Sequence, residues 1–137
     1  MATPTEEFDS AQWSRRSVMI VDDQARVRSF LRNYLSSLHI TKIVEASNGR
    51  EAVDIVSHWP KLDIVMMDLK MPEMDGLEAI EQMRAINPSI WFIILTGYLR
   101  YPGIFKVAAE AGAFVLMKPI EIDDLDHIMK TVLRSSV

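Results

Sequence analysis

Apolar residues along the chain fall into five short runs, each followed by a longer stretch where they recur every three or four positions. The runs lie at about 17–21, 41–46, 64–67, 90–95 and 114–117. Short segments that are apolar on both faces fit strands buried on both sides of a parallel sheet. The first following stripe is Val27, Phe30, Leu31, Tyr34, Leu35 and Leu38, one face of a helix. Ala52, Ile55, Val56 and Trp59 mark a second, after the turn Ser47-Asn48-Gly49 and before Pro60. Leu77, Ile80, Met83 and Ile86 mark a third, which stops before Asn87-Pro88. The fourth is the weakest, with Leu99-Arg100-Tyr101-Pro102-Gly103 as a lead-in to Ile104, Val107, Ala108 and Ala111 and Gly112 as its C-cap. The last carries Ile122, Leu125, Ile128, Met129, Val132 and Leu133.

Strict strand–helix alternation predicts an α/β fold: a doubly wound, five-stranded parallel sheet with five helices on its two faces and right-handed crossovers. The most economical strand order is 2-1-3-4-5, with its switch point between the first and third strands. Ligand sites in such sheets lie at the carboxyl ends of the strands. The third run enters Asp68 directly, and a Pro- and Gly-bearing turn follows, Met71-Pro72-Glu73-Met74-Asp75-Gly76. Asp75 is a good helix N-cap, with Glu78 three residues on.

Composition narrows the classes. A chain of 137 residues with 49% apolar content can bury a core as one domain. With no cysteine, disulfides, thiolate metal sites and cysteine nucleophiles are excluded. No apolar run reaches the roughly 18 residues of a membrane span, and no signal-peptide pattern opens the chain, so it reads as cytoplasmic. A net charge of −4 gives no electrostatic footprint for nucleic acid. Residues 1–14 are polar and acidic and read as a flexible extension, with 15–137 as the domain. The alternative is an arm that docks through Phe8 and Trp13.

Asp22, Asp23, Asp68, Thr96 and Lys118 all follow predicted strands on one edge of the sheet. Each has a bland reading, such as Asp23 capping the first helix or Lys118 standing solvated before Pro119. Together they make a chemistry. Three gathered carboxylates repel one another unless a cation intervenes. Hard oxygen ligands with room for water suit Mg²⁺. An aspartate beside Mg²⁺ and a lysine is equipped to attack phosphorus, with a threonine hydroxyl free to bond a phosphoryl oxygen.

The ordered set Val-Asp22-Asp23, Met-Asp68-Leu-Lys-Met-Pro72-Glu-Met-Asp75-Gly76, Leu-Thr96-Gly97 and Met-Lys118-Pro119 resembles the receiver domain of two-component response regulators. The resemblance runs from about residue 15 to 134 and implies a flavodoxin-like, CheY-like fold. It implies that Asp68 is the phosphoacceptor for a histidine kinase or phosphotransfer protein. Asp23, Asp68 and the Lys70 backbone carbonyl would ligate Mg²⁺, with Asp22 acting through water. Lys118 would contact the phosphoryl group, Thr96 would move toward it, and Pro119 would follow a cis peptide. Lys70 and Tyr98 would flank the attacking water, where their charge and bulk would slow loss of the phosphoryl group. One feature departs. Receivers commonly carry Tyr or Phe three residues before the lysine; here Val115 stands there and Phe114 precedes it.

The expected activity is therefore a phosphorylation switch and not an enzyme in the ordinary sense. Its output would be a protein bound by the fourth helix, fifth strand and fifth helix, including Ile104, Phe105 and Val115, with the chain a monomer or a weak phosphorylation-dependent dimer. Little follows the last helix, so the expectation is a receiver without an output domain. Two rival readings are a receiver-like module that binds partners without phosphorylation and a Mg²⁺-dependent aspartyl-phosphate phosphohydrolase. Hydrolases of the haloacid-dehalogenase type place two carboxylates two residues apart, and Gln24 holds the second of those positions here. A flavin-binding domain would need a Ser/Thr/Gly-rich phosphate loop after the first strand, and Asp22-Asp23 would repel that phosphate.

Overall fold

The continuous apolar runs form five parallel strands: β1 (Ser17–Val21), β2 (Lys42–Ala46), β3 (Ile64–Met67), β4 (Trp91–Thr96) and β5 (Ala113–Met117). The computed structural model describes residues 10–59, 61–69, 74–97 and 104–135. The sheet order is β2-β1-β3-β4-β5, the doubly wound order expected. Between and after the strands lie α1 (Ala25–Ser37), α2 (Gly49–His58), α3 (Gly76–Ile86), α4 (Ile104–Glu110) and α5 (Ile122–Ser135). A single helical turn, Ser10–Trp13, precedes β1.

Strand alternation divides the core in two. Val18, Ile20, Ile64, Met66, Ile93 and Leu95 face α1 and α5, where Leu31, Leu35, Leu125, Met129 and Val132 meet them. Met19, Val21, Val65, Met67, Phe92 and Ile94 face the other way, onto Ala52, Val56, Ala79, Ile80, Met83 and Ala108. β1 and β3 are buried throughout, as strands covered on both faces must be.

Three helix ends carry the local signals of the sequence. Asn48 caps α2 by accepting the Glu51 N–H at 2.8 Å, and Asp75 caps α3 by accepting the Leu77 N–H at 2.9 Å. Gly112, at φ +68°, turns the chain out of α4, a conformation glycine adopts without a Cβ clash.

Two expectations need correction. Trp13 is only 7% exposed and belongs to the core beneath α1 and α5, so the packed domain begins before residue 15. Phe8 lies outside the described residues. Phe30, counted in the apolar stripe of α1, is 41% exposed, as are Ile86 and Ile122 at helix ends. Phe30 stands instead at an open groove shared with Pro119 and Ile120.

Candidate acidic site

The parallel register delivers the aspartates as neighbours. Val21 pairs with Met67, and the ladder continues one step as the Asp68 N–H donates to the Val21 carbonyl at 3.0 Å. Asp22 and Asp68 therefore leave adjacent strands side by side. Carboxylate oxygens of Asp22, Asp23 and Asp68 all lie within 4.8 Å of one another. From β5, Lys118 Nζ reaches both Asp22 Oδ2 at 3.1 Å and Asp68 Oδ2 at 3.3 Å.

The three carboxylates differ in their surroundings. Asp22 is 2% exposed; its Oδ1 accepts the Gln24 N–H at 2.9 Å while Oδ2 takes Lys118. Asp68 is partly buried and Asp23 exposed. The helix that follows is capped at Gln24 without a side-chain bond, so Asp23 does not cap it and its carboxylate is spent on the pocket.

Burial presses the Lys118 pKa down, but the hydrogen bond to Asp22 and the charges of Asp68 and Asp22 outweigh it and hold the ammonium above its ordinary value. One ammonium against three carboxylates leaves the cluster anionic, and an all-oxygen set open to water suits a hard divalent cation.

Thr96 closes β4 fully buried, paired in register with Met117. Its carbonyl accepts the Lys118 N–H at 2.8 Å, which ties the end of β4 to the lysine. The Lys118–Pro119 peptide is cis. Lys70, Pro72 and Tyr98 lie outside the described residues.

Strand parity bears on the departure at position 115. Val115 packs with the core on the α2–α4 side, the side that Phe92 and Ile94 share with Thr96 by alternation along β4. Phe114 packs on the opposite face, its ring stacked on Trp91 with centroids 6.1 Å apart. Phe114 therefore cannot replace a ring at position 115 on the threonine side.

Two features lay beyond sequence reasoning. An open groove of about 430 Å³ runs beside Lys118, lined by Arg26, Val27, Phe30, Pro119 and Ile120; the exposed Phe30 is what the helical stripe concealed. Glu45 on β2 accepts from Arg28 Nε at 3.0 Å and Arg32 Nε at 2.7 Å. The Arg32 hydrogen bond above all, against some burial and aided by Arg28, holds the Glu45 carboxyl below its ordinary value. No sequence period links positions 28 and 45; only the topology brings them together.

Known proteins are similar to this chain in sequence and fold. The chain is 35% identical to sporulation initiation phosphotransferase F of Bacillus subtilis over 85% of its own length and 92% of that protein. It is 33% identical to the response regulator protein VraR of Staphylococcus saprophyticus, covering 88% of this chain but 58% of that one. Among solved structures, a chain of the CheX-CheY-BeF3-Mg+2 complex from Borrelia burgdorferi superposes with a TM-score of 0.78 at 27% identity, over 85% of this chain and 88% of that one. A family model for the response regulator receiver domain matches residues 18–130. This chain belongs to the response regulator receiver domain family.

Proposed function

We propose that the chain is a phosphorylation switch in which Asp68 accepts a phosphoryl group from a histidine kinase or phosphotransfer protein. The observation that carries this reading is the pairing of Asp68 with Lys118 inside the three-aspartate cluster. A carboxylate oxygen of Asp68 attacks phosphorus; the bond from phosphorus to the donor nitrogen breaks, and its electron pair stays on the donor imidazole. The product is an acyl phosphate on Asp68. Lys118 balances charge on the phosphoryl oxygens as they approach. By the family resemblance, Asp23 and Asp68, with the Lys70 carbonyl, would hold Mg²⁺, and Asp22 would act through water. Bound Mg²⁺ supplies charge neutralisation on the transferring group. The Borrelia complex, similar in sequence and fold, carries BeF3 and Mg²⁺.

The donor approaches across the apolar groove beside Lys118, where Phe30, Pro119 and Ile120 offer surface next to the nucleophile. Output follows from the other side. Turning the buried Thr96 hydroxyl toward a phosphoryl group on Asp68 shifts the start of α4 and alters the surface of α4, β5 and α5 offered to a downstream protein. By the family resemblance, charge or bulk at Lys70 and Tyr98 would slow loss of the phosphoryl group.

The test is intact mass after incubation with acetyl phosphate and Mg²⁺, followed by transfer from a phosphorylated histidine protein. Wild type gains one phosphoryl group and Asp68→Asn gains none. No gain from either donor would move the reading to a module that binds partners without phosphorylation.

A further inference from the structure

The two aspartates that end β1 are held very differently. Asp22 is fixed through its backbone as well as its carboxylate, its N–H donating to the Ala46 carbonyl at 3.1 Å. Asp23 beside it is exposed, and the peptide joining it to Asp22 sets the direction in which its side chain leaves. The carbonyl of that peptide, the Asp22 oxygen, accepts a 2.6 Å hydrogen bond from Arg28 Nη1. Arg28 Nε donates in turn to Glu45 Oε1 at 3.0 Å, and the second Glu45 oxygen accepts from Arg32. The guanidinium thus bridges the loop that carries the acidic pair to β2.

We infer that Arg28 is a positioning residue for the acidic pocket: anchored on Glu45, it orients the Asp22–Asp23 peptide and so aims the Asp23 carboxylate at the cation position. The inference rests on the reading of this pocket as a divalent-cation site. A peptide unit is planar, so fixing its carbonyl fixes where the next Cα stands. A guanidinium offers donors in a rigid fork, and holding two acceptors at once prevents it from turning. Lysine, a single point donor, cannot span both acceptors in the same way. The Arg28–Glu45 pair is 19% and 31% exposed, and pairs so placed contribute little to stability. Its consequence is geometric.

The experiment uses the full chain as wild type, Arg28→Ala, Arg28→Lys and Glu45→Gln. Mg²⁺ affinity is measured by calorimetry, and the Asp22 carbonyl and Asp23 amide resonances are recorded without metal. Arg28→Ala and Arg28→Lys both weaken Mg²⁺ about tenfold, the scale of groups that orient metal ligands. Both move the two resonances while the melting temperature stays close to wild type. Glu45→Gln, which keeps an acceptor, gives a smaller loss and guards against a misfolded Arg28→Ala. Wild-type Mg²⁺ affinity in Arg28→Ala, unmoved resonances, or full recovery in Arg28→Lys would overturn the inference. Absence of Mg²⁺ binding in the wild type would instead overturn the reading of the pocket, and the metal-free resonances would still decide whether Arg28 orients the peptide.

Discussion

Lys118 Nζ lies 3.3 Å from Asp68 Oδ2 while also bonded to Asp22, so one partly buried ammonium offsets two carboxylates. Its pKa is lowered by burial but raised further by Asp22 and Asp68, for a net rise. A lysine whose folded pKa exceeds its unfolded value, near 10.4, stabilises the fold fully below that value. The contribution is lost as pH rises through the folded pKa. In metal-free protein, Lys118→Met should cost about 1–2 kcal/mol at pH 7, less than a fully buried pair because the Lys118 side chain is 22% exposed. It should also lose part of the alkaline decline. Urea denaturation from pH 7 to 11.5 checks both; an unchanged midpoint at pH 7 would mean the ammonium is not holding the carboxylates.

Tyr34 makes a second alkaline element. Its hydroxyl donates to Asp126 and ties α1 to α5, and burial first, then Asp126, raises its pKa. The folded state therefore keeps the phenolic proton where the unfolded chain, near pH 10, gives it up, and stability falls as pH climbs past that point. Tyr34→Phe should cost about 1.5–3 kcal/mol at pH 7, a hydrogen bond to a charged acceptor. In ultraviolet titration the ionisation that coincides with unfolding in wild type should disappear in the variant.

The strands and the polar residues that end them were legible because each depends on patterns within a few residues; their order and the gathering of Asp22, Asp23, Asp68 and Lys118 followed from the doubly wound topology and the receiver resemblance. Continuous apolar runs mark buried strands, and polar residues at their carboxyl ends mark the site. What escaped depends on distance or parity. Phe30 satisfied the helical period yet stands at a groove with Pro119 and Ile120, since periodicity marks a face and not how much of it is covered. The opposed faces of Phe114 and Val115 were available from the period of two along β5. Trp13 was visible as an apolar residue in a polar stretch, but nothing local decided between a flexible extension and a docked arm.

Trp13→Ala tests how far the domain extends. The ring is 7% exposed in the cluster that includes Val18, Ile40 and Leu133, and truncating a buried tryptophan costs about 3–5 kcal/mol. Against a total of about 5–15 kcal/mol, that is a large share of the stability. Deleting residues 1–14 should reproduce the loss in thermal denaturation. A deletion as stable as wild type would return the segment to the status of a dispensable tail.

Gly76 sits where the turn after Asp68 comes back against its own strand. A Cβ there would stand 2.8 Å from Leu69 Cα and 2.9 Å from the Asp68 carbonyl oxygen, and neither backbone atom can yield without moving the chain at Asp68. Alanine offers up to about 1 kcal/mol of helix propensity, yet overpacking typically costs about 1–3 kcal/mol, and contact with backbone puts this site at the upper end. Gly76→Ala should therefore be less stable to urea by about 1–2 kcal/mol and should accept phosphoryl from acetyl phosphate more slowly. Gly97 is the control on the far side of the pocket: among the described residues, its added Cβ meets only the Lys118 side chain, at 3.6 and 3.9 Å. That is ordinary contact, so Gly97→Ala should change stability by less than about 0.5 kcal/mol. Equal losses at the two glycines would show that loss of chain freedom, and not the close approach to Asp68, governs both positions.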